Sequence, residues 1–356
     1  MSETAPLDYP FRDPPAPGAT LEVAPGVHWL RMPLPFQLEH INLWLLEDGA
    51  GPQAGWTIVD CGVADDSTRA LWERHFATTL RARPVRRVVV THFHPDHAGN
   101  AAWLCERLGA ELWMTQAEYL TAHAVRNGIA GYTAQATLAL FRANGLDDAR
   151  QKAMSARGNA YVGYVPDFPL SFHRYMDGER IALGSRRWRV MAGYGHAPEH
   201  ASLYCEQSKV LISGDMLLPR ISPNVSVWAV DPLGNPLKLF LESIERYRLL
   251  PSDALVLPSH GLPFRGAHAR VAELAAHHRA RLAELEAACS DLPRSANDLV
   301  EVLFRRKLDV HQLFFAMGET IAHLHYLHYS GRLEREIGAD GVARFARAVQ
   351  PLRAIA

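Results

Sequence analysis

Four candidate metal ligands lie within six consecutive positions of this 356-residue chain. The run at residues 91–99 reads THFHPDHAG, and its candidate ligands are His92, His94, Asp96 and His97. Imidazole nitrogens and carboxylate oxygens are the ligands with which proteins hold zinc and similar cations. Three imidazoles and a carboxylate this close together could not all face an apolar core, because each would need a polar partner there. The run therefore predicts a metal-binding loop.

The spacing within this loop indicates two metal positions. His92 and His94 are two residues apart, so on an extended backbone their side chains point to the same side. Asp96 and His97 follow the bend expected at Pro95, and they can face a second ion. One short loop can therefore contribute ligands to two neighbouring ions.

Three further candidate ligands each follow a predicted strand and stand next to a glycine, which lets the backbone approach a site closely. They are His196 in GYGHAPEH, Asp215 in ISGDM and His260 in LPSHG. The chain has 18 histidines, and five of them belong to this pattern. With the two aspartates they are enough for two divalent cations of the zinc, iron or manganese type, bridged by a carboxylate.

The elements that must position these ligands alternate between strands and helices, which predicts an α/β layered fold. Hydrophobic, β-branched and aromatic runs predict strands at 27–32, 41–46, 56–60, 87–91, 188–191, 201–204, 210–213 and 254–258. Helices are predicted at 65–82, 99–108, 237–250 and 267–289. Because polar clusters follow the strands, we expect the site at one end of a sheet.

Other parts of the chain depart from this alternation. Residues 1–20 contain five prolines and predict an extended N-terminal arm. Residues 21–290 form the predicted catalytic domain, with a helical insertion at 116–175. Residues 291–356 predict two helices followed by a hairpin, which is the pattern of a small winged-helix-like domain.

The order of the motifs resembles the metallo-β-lactamase fold superfamily of binuclear metallohydrolases. The HxHxDH run is followed by His196, Asp215 and His260, and TIVDCG at 57–62 resembles that family's first motif, whose aspartate, here Asp60, is structural. The core also resembles glyoxalase II, and the C-terminal segment resembles the winged-helix-like domain of the β-lactamase-like-protein branch. The implied fold is a four-layer αβ/βα sandwich, with the metals at the edge between two sheets.

The resemblance also implies a ligand set for each metal. One ion is expected on His92, His94 and His196, and the second on Asp96, His97 and His260, with Asp215 bridging them. Zinc is the expected metal, with iron or manganese as alternatives. Glu199 stands where relatives often have glycine in an HTPGH run, so the resemblance does not predict the shape of the loop at residues 196–200. No lactam-recognition signature is present, and the family name therefore does not imply antibiotic hydrolysis.

The implied reaction is hydrolysis by a hydroxide held between the two metals. We expect it to attack a thioester or carboxylic ester, of the acyl thioester or lactone type, with Asp96 as the catalytic residue that orients the nucleophile. The alternative is a phosphodiesterase or endoribonuclease that uses the same site, since winged helices often bind nucleic acid.

Charge separates these alternatives. The chain carries 37 Lys and Arg against 38 Asp and Glu, and residues 293–356 carry nine against seven. Nucleic-acid-binding proteins usually show a strong basic excess. A small-molecule ester or thioester is therefore the expected partner, and nucleic acid ranks second.

The remaining expectations concern the pocket and the surroundings of the enzyme. Phe36, His40 and His200 are candidate pocket residues. The N-terminus lacks a signal-peptide pattern, and no run of 18 apolar residues predicts a membrane span. Four widely spaced cysteines favour reduced thiols and a cytoplasmic protein. A homodimer is the alternative to a monomeric chain.

Overall fold

A computed structural model describes residues 6–35, 38–49, 51–155, 158–183 and 186–348. The predicted pocket residue Phe36 lies outside these ranges. The described chain divides into two compact units. The first contains the chain up to Arg126, Ala160–Pro223 and Ser243–Val271. The second contains Asn127–Asn159, Asn224–Glu242 and the chain from Ala272 onward.

The first unit contains a seven-stranded sheet in which the strands follow one another in chain order. Its strands are β1 Leu21–Ala24, β2 Val27–Pro33, β3 His40–Asp48, β4 Gly55–Val59, β5 Val85–Val89, β6 Glu111–Met114 and β7 His173–Arg174. Neighbours from β1 to β4 are antiparallel, and those from β4 to β7 are parallel. The carboxyl ends of β4 and β5 therefore lie at the same edge.

A second sheet of six strands also belongs to the first unit. Its strands are β8 Arg180–Leu183, β9 Arg186–Gly193, β10 His200–Cys205, β11 Val210–Gly214, β12 Leu255–Pro258 and β13 Phe264–Arg265. The spatial order is β13-β12-β11-β10-β9-β8, and β11 and β12 are the parallel pair. Asp8 of the predicted N-terminal arm forms a bridge to Arg265 at the edge of this sheet.

The two sheets face each other across one apolar core. Trp29, Trp44 and Val59 from the first sheet are buried in a single cluster with Trp188 and Leu203 from the second. Side chains alternate between the two faces of a strand, and here both faces are covered. This double burial explains why the strands appear in the sequence as nearly continuous apolar runs.

Helices occur in both units. The helices are α1 Asp66–Ala77, α2 Pro95–Ala98, α3 Ala101–Leu108, α4 Gln116–Asn127, α5 Ala134–Ala143, α6 Asp148–Ser155, α7 Tyr161–Tyr164, α8 Pro236–Glu245, α9 Ala267–Ala288, α10 Ala296–Leu303 and α11 Val310–Tyr329. Helices α1 and α3 contact the first sheet. On the second sheet, Ser202 bonds to Tyr247 in the turn after α8 (2.6 Å). The layers form the predicted αβ/βα sandwich.

The second unit contains the predicted C-terminal pair of helices, α10 and α11, followed by a hairpin of β14 Leu333–Ile337 and β15 Ala343–Arg347. Capping boxes begin both helices, at Ser295 and Asp309. Phe141 of α5 contacts Phe314 of α11, with ring centroids 5.8 Å apart. Part of the predicted insertion therefore belongs to the same compact unit as the C-terminal helices.

Several predicted boundaries differ from the structure. The helix predicted at 65–82 ends at Ala77, and the one predicted from Gly99 begins at Ala101 as α3, after the separate short helix α2. The segment at 116–175 is not helical throughout, because its end forms β7 and pairs with β6. Strands β1, β6, β7, β8 and β13 were not predicted. They have two or four residues, which is too short for a clear alternation of apolar and polar residues.

Two further sequence features can be compared with the structure. The described helices include none with both the length and the apolar character needed to cross a membrane. The four cysteines, Cys61, Cys105, Cys205 and Cys289, are free thiols.

Replacing Trp188 with alanine tests the core between the sheets. Trp188 is 1% exposed, so Trp188→Ala is expected to lower the free energy of unfolding by about 3–5 kcal/mol. Leu170 is 93% exposed, and Leu170→Ala should change it by less than about 0.5 kcal/mol. Urea denaturation of both variants measures the difference, and equal effects would contradict this description of the core.

Candidate metal centre

Most candidate ligands lie beyond the carboxyl ends of strands that have a parallel neighbour, whereas His196 follows β9, which is antiparallel to both of its neighbours. His92 follows β5, Asp215 directly follows β11, and His260 follows β12. Ligands in α/β folds commonly bind at such strand ends. The two faced sheets thus bring together residues that are more than 150 positions apart in the chain.

Three histidines form one half of the centre, called here the His92 group: His92, His94 and His196. Nε2 of His92 lies 2.9 Å from Nδ1 of His94 and 3.2 Å from Nε2 of His196. Nε2 of His196 lies 3.5 Å from Oδ2 of Asp215. The nitrogens converge on one small volume, as ligands of a single cation would.

The other half, called here the His260 group, consists of Asp96, His97 and His260. Oδ2 of Asp96 lies 3.6 Å from Nε2 of His97 and 3.3 Å from Nε2 of His260. Oδ1 of Asp215 lies 3.5 Å from both of these nitrogens. Asp215 therefore presents one oxygen to each half, which is the arrangement needed for a bridging ligand.

The donor atoms fit a pair of cations. Within the His92 group together with Asp215, and within the His260 group, one ligand atom per residue lies within 4.8 Å of the others. Nε2 of His97, Nε2 of His260 and Oδ1 of Asp215 are buried and have no hydrogen-bond partner among the described residues. Leaving a buried polar atom unsatisfied costs about 1–3 kcal/mol. A His/Asp cluster of this kind is compatible with a binuclear metal site.

The second ring nitrogens are held by the surrounding chain, which orients the imidazoles. Nδ1 of His97 donates to Asp60 (2.8 Å), and Nδ1 of His92 lies 3.1 Å from the hydroxyl of Thr91. Asp60 also accepts the backbone N–H of Thr91 (2.8 Å) and its hydroxyl (2.9 Å). Such partners fix which nitrogen faces a metal. Asp60, which the resemblance predicts to be structural, thus bonds to both Thr91 and His97 of the metal-binding loop.

The two halves differ in their electrostatics. Burial lowers the pKa of His94 to about 3, and neighbouring His196 acts in the same direction. Burial would also lower the pKa of His260, but the carboxylates of Asp215 and Asp96 raise it to about 10. His92, whose pKa is also lowered by burial, and His94 therefore offer neutral imidazoles, and the carboxylates are concentrated in the His260 group and at the bridge.

His200 and His40, both predicted pocket residues, make contacts behind the ligands. His200 is fully buried, and its Nε2 accepts the backbone N–H of Asp215 (3.1 Å). A Cβ on Gly214 would lie 2.2 Å from that nitrogen, so glycine is required there. The backbone oxygen of His40 accepts the Nδ1–H of His260 (2.8 Å). These histidines support Asp215 and His260.

Glu118 is a buried residue beside the ligands that the sequence did not indicate. Its buried carboxyl group accepts the backbone N–H of Phe93 (2.9 Å) and that of Glu199 (2.6 Å). Phe93 lies between His92 and His94, so Glu118 joins the two loops that carry the His92 group. Burial raises the pKa of Glu118 to about 8, although the two N–H groups oppose this shift. No local pattern marks this position on α4.

The loop between His196 and His200 is also bonded to the residues at the start of α4. The side chain of Glu199 accepts the N–H of Ala117 (3.2 Å), and its backbone oxygen accepts the hydroxyl of Thr115 (2.8 Å). Glu199 thus attaches this rim to the start of α4. Tyr161 donates to the backbone oxygen of Phe93 (2.6 Å) and so also bonds to the metal-binding loop.

Replacing Glu118 with glutamine tests this connection. The amide keeps the shape of the side chain but turns a donor toward one of the two backbone N–H groups. We expect Glu118→Gln to weaken metal binding by about 10–100-fold. Glu206 is an exposed acid paired with Arg180, and Glu206→Gln should leave metal binding unchanged. Metal content after dialysis against a chelator measures the effect, and wild-type retention in Glu118→Gln would contradict it.

Family models match most of the chain. The model described as "Metallo-beta-lactamase superfamily" matches residues 38–260. The model described as "Metallo-beta-lactamase-like, C-terminal domain" matches residues 282–348. The first match contains all seven candidate ligands, and the second contains α10, α11 and the hairpin.

Solved structures agree with these matches. A beta-lactamase domain protein from Burkholderia ambifaria is 51% identical, with a TM-score of 0.89 over 96% of this chain and 98% of that chain. A metallo-beta-lactamase family protein from Thermus thermophilus is 33% identical, with a TM-score of 0.76 over 92% of this chain and 100% of that chain.

Two curated relatives are more distant. "Probable metallo-hydrolase YqjP" of Bacillus subtilis (strain 168) is 25% identical over 84% of this chain and 91% of its own length. "Linear primary-alkylsulfatase" of Pseudomonas sp. (strain ATCC 19151) is 25% identical over 60% of this chain and 40% of its own length. The fold, the His/Asp cluster and these matches together lead to one conclusion: the chain belongs to the metallo-β-lactamase superfamily and is a metallo-hydrolase.

Proposed function

We propose that this metallo-hydrolase uses two zinc ions to cleave an acyl thioester or a carboxylic ester, including lactones. The observation that carries the proposal is the position of Asp215, which offers one oxygen to the His92 group and the other to the His260 group. Two divalent cations held there would lower the pKa of water and polarise the bond under attack. Nitrogen and carboxylate donors suit zinc, with iron or manganese as alternatives.

In this proposal, Asp96 is the catalytic residue. Its side chain is 14% exposed and lies beside the nearly buried His260 and the fully buried His97. It is thus the member of its group that is most open to an incoming molecule. A carboxylate there can accept a hydrogen bond from the attacking nucleophile and orient it.

An uncharged or weakly charged small substrate is supported by the charge of the chain. The formal net charge is −1, whereas proteins that bind nucleic acid usually carry a basic excess. The resemblance of the core to glyoxalase II favours acyl thioesters among the esters.

The alternative is cleavage of a phosphodiester or RNA by the same site. Its support is the C-terminal arrangement of two helices and a hairpin, since winged helices commonly bind nucleic acid, and the basic run Arg305-Arg306-Lys307. The name of the alkylsulfatase relative adds alkyl sulfates to the compounds worth testing.

We also propose a compartment, a partner and an assembly for the enzyme. The four free cysteines favour a reducing compartment such as the cytoplasm. A small molecule is the proposed partner, and a homodimer is the proposed assembly of this chain.

A substrate panel tests the reaction class. The purified zinc-loaded chain is expected to hydrolyse acyl thioesters or lactones faster than bis-p-nitrophenyl phosphate, an RNA oligomer or an alkyl sulfate. Initial rates at matched concentrations, with metal analysis of the same sample, give the answer. Turnover of the phosphodiester alone would replace this proposal with the alternative.

Replacing Asp215 tests the bridging role. Asp215→Ala removes an oxygen from both halves, so metal content and kcat should fall together, the latter by at least about 100-fold. Asp253 is an exposed aspartate paired with Lys209, and Asp253→Ala serves as the matched control. Full activity and two ions per chain in Asp215→Ala would exclude a bridging carboxylate at this position.

A further inference from the structure

Asn42 is a fully buried polar residue in β3, a strand whose neighbouring residues Ile41 and Leu43 are also fully buried. It is not among the candidate ligands, and being buried it has no access to substrate. Burying an amide costs free energy unless all its hydrogen bonds are made. An apolar side chain would suit the interior of such a strand better. Its contacts therefore need an explanation beyond packing.

The amide oxygen of Asn42 faces two groups that can only donate. Oδ1 accepts the indole N–H of Trp29 (2.9 Å) and Nε–H of Arg31 (3.3 Å). Neither partner has an acceptor atom that could receive a bond from an amide N–H. This settles which way the amide points, because a flipped amide would place donors against donors. The NH2 group must therefore point toward the second sheet.

That NH2 group holds both sides of the loop that carries His260. Nδ2 donates to the backbone oxygens of Pro258 and Gly261, each at 2.8 Å. The backbone N–H of Asn42 donates to the oxygen of Ser259 (2.7 Å). Asn42 thus bonds to the residues before and after His260, although it lies more than 200 positions earlier in the chain.

His40, two residues before Asn42, completes this attachment. Its backbone oxygen takes the Nδ1–H of His260 (2.8 Å), and its Nε2 accepts the backbone N–H of Gly261 (3.1 Å). With Nδ1 used in this way, Nε2 of His260 is directed toward Asp96 and Asp215. The start of β3 therefore determines both the path of the loop and the rotation of the imidazole.

We propose that Asn42 is a positioning residue that sets metal affinity in the His260 group by fixing the backbone on both sides of His260. The inference rests on the proposed binuclear function. Aspartate would match the shape of Asn42, but it has no N–H to donate to the two backbone oxygens. Alanine would make neither contact.

The experiment is a zinc titration of the metal-stripped, full-length chain in competition with a chromophoric chelator. Wild type is expected to bind two ions in two steps. In Asn42→Ala and Asn42→Asp one step should remain at wild-type affinity, and the other should weaken by about 10–100-fold. kcat at limiting zinc should fall by a similar factor while KM changes little, because the substrate does not contact Asn42.

Asn144 provides a matched control in the second unit. It is a buried asparagine whose amide donates to the backbone oxygen of Leu140 (2.9 Å). Asn144→Ala should lower the melting temperature as Asn42→Ala does, but it should leave both zinc steps unchanged. An equal loss of one zinc step in Asn144→Ala would show general destabilisation and overturn the inference.

The remaining outcomes separate this inference from the proposed function. If wild type binds fewer than two ions, the binuclear function fails. If wild type binds two and both Asn42 variants bind them with wild-type affinity, the positioning role alone fails. Should Asn42→Ala not fold, Asn42→Asp and Asn42→Ser are titrated instead. The hydroxyl of Asn42→Ser can donate only one hydrogen bond, whereas the NH2 group of Asn42 donates two. Unchanged zinc affinities in both Asn42→Asp and Asn42→Ser would also overturn the positioning role of Asn42.

Discussion

The structure depends on one physical constraint, which is that imidazoles and carboxylates must be kept together in a buried place. The nitrogens of His92, His94 and His196 lie about as close as hydrogen-bond partners do, at 2.9 and 3.2 Å. Water would otherwise solvate such groups, and burial without partners is unfavourable. Cations balance this cost when bound, and the surrounding fold must hold the groups in place before binding.

The supporting bonds come mainly from residues behind the ligands. Asp60 adopts a backbone conformation with φ +63°, unusual for a residue other than glycine, and its carboxylate bonds to both Thr91 and His97. Strained backbone of this kind persists where the surrounding contacts over-determine it. Asp60 therefore connects the end of β4 to the metal-binding loop after β5.

The two halves of the centre are held from different directions. Glu118, on α4, joins the loops on which the His92 group lies, and Asn42, on β3, holds the loop with His260. Each is a buried polar side chain that bonds to two backbone groups: both oxygens of Glu118 accept backbone N–H groups, and the NH2 group of Asn42 donates to two backbone oxygens. Backbone bonds locate a loop more firmly than side-chain packing alone, because the donors and acceptors occupy defined directions. Residues from both sheets and from α4 thus fix the positions of the candidate ligands.

The sequence by itself determined the candidate ligands, their order and the fold family, because these depend on short motifs and on strands whose apolar runs are easily recognised. It also indicated a role for Asp60 and marked His40 and His200 as neighbours of the site. It did not indicate Glu118 or Asn42, since a single polar residue within a helix or an apolar strand has no local pattern that distinguishes it. Their roles exist only through partners far away in the chain. The tertiary structure decided these contacts, because hydrogen bonds require atoms about 3 Å apart, and only the folded arrangement of the two sheets brings them to that distance.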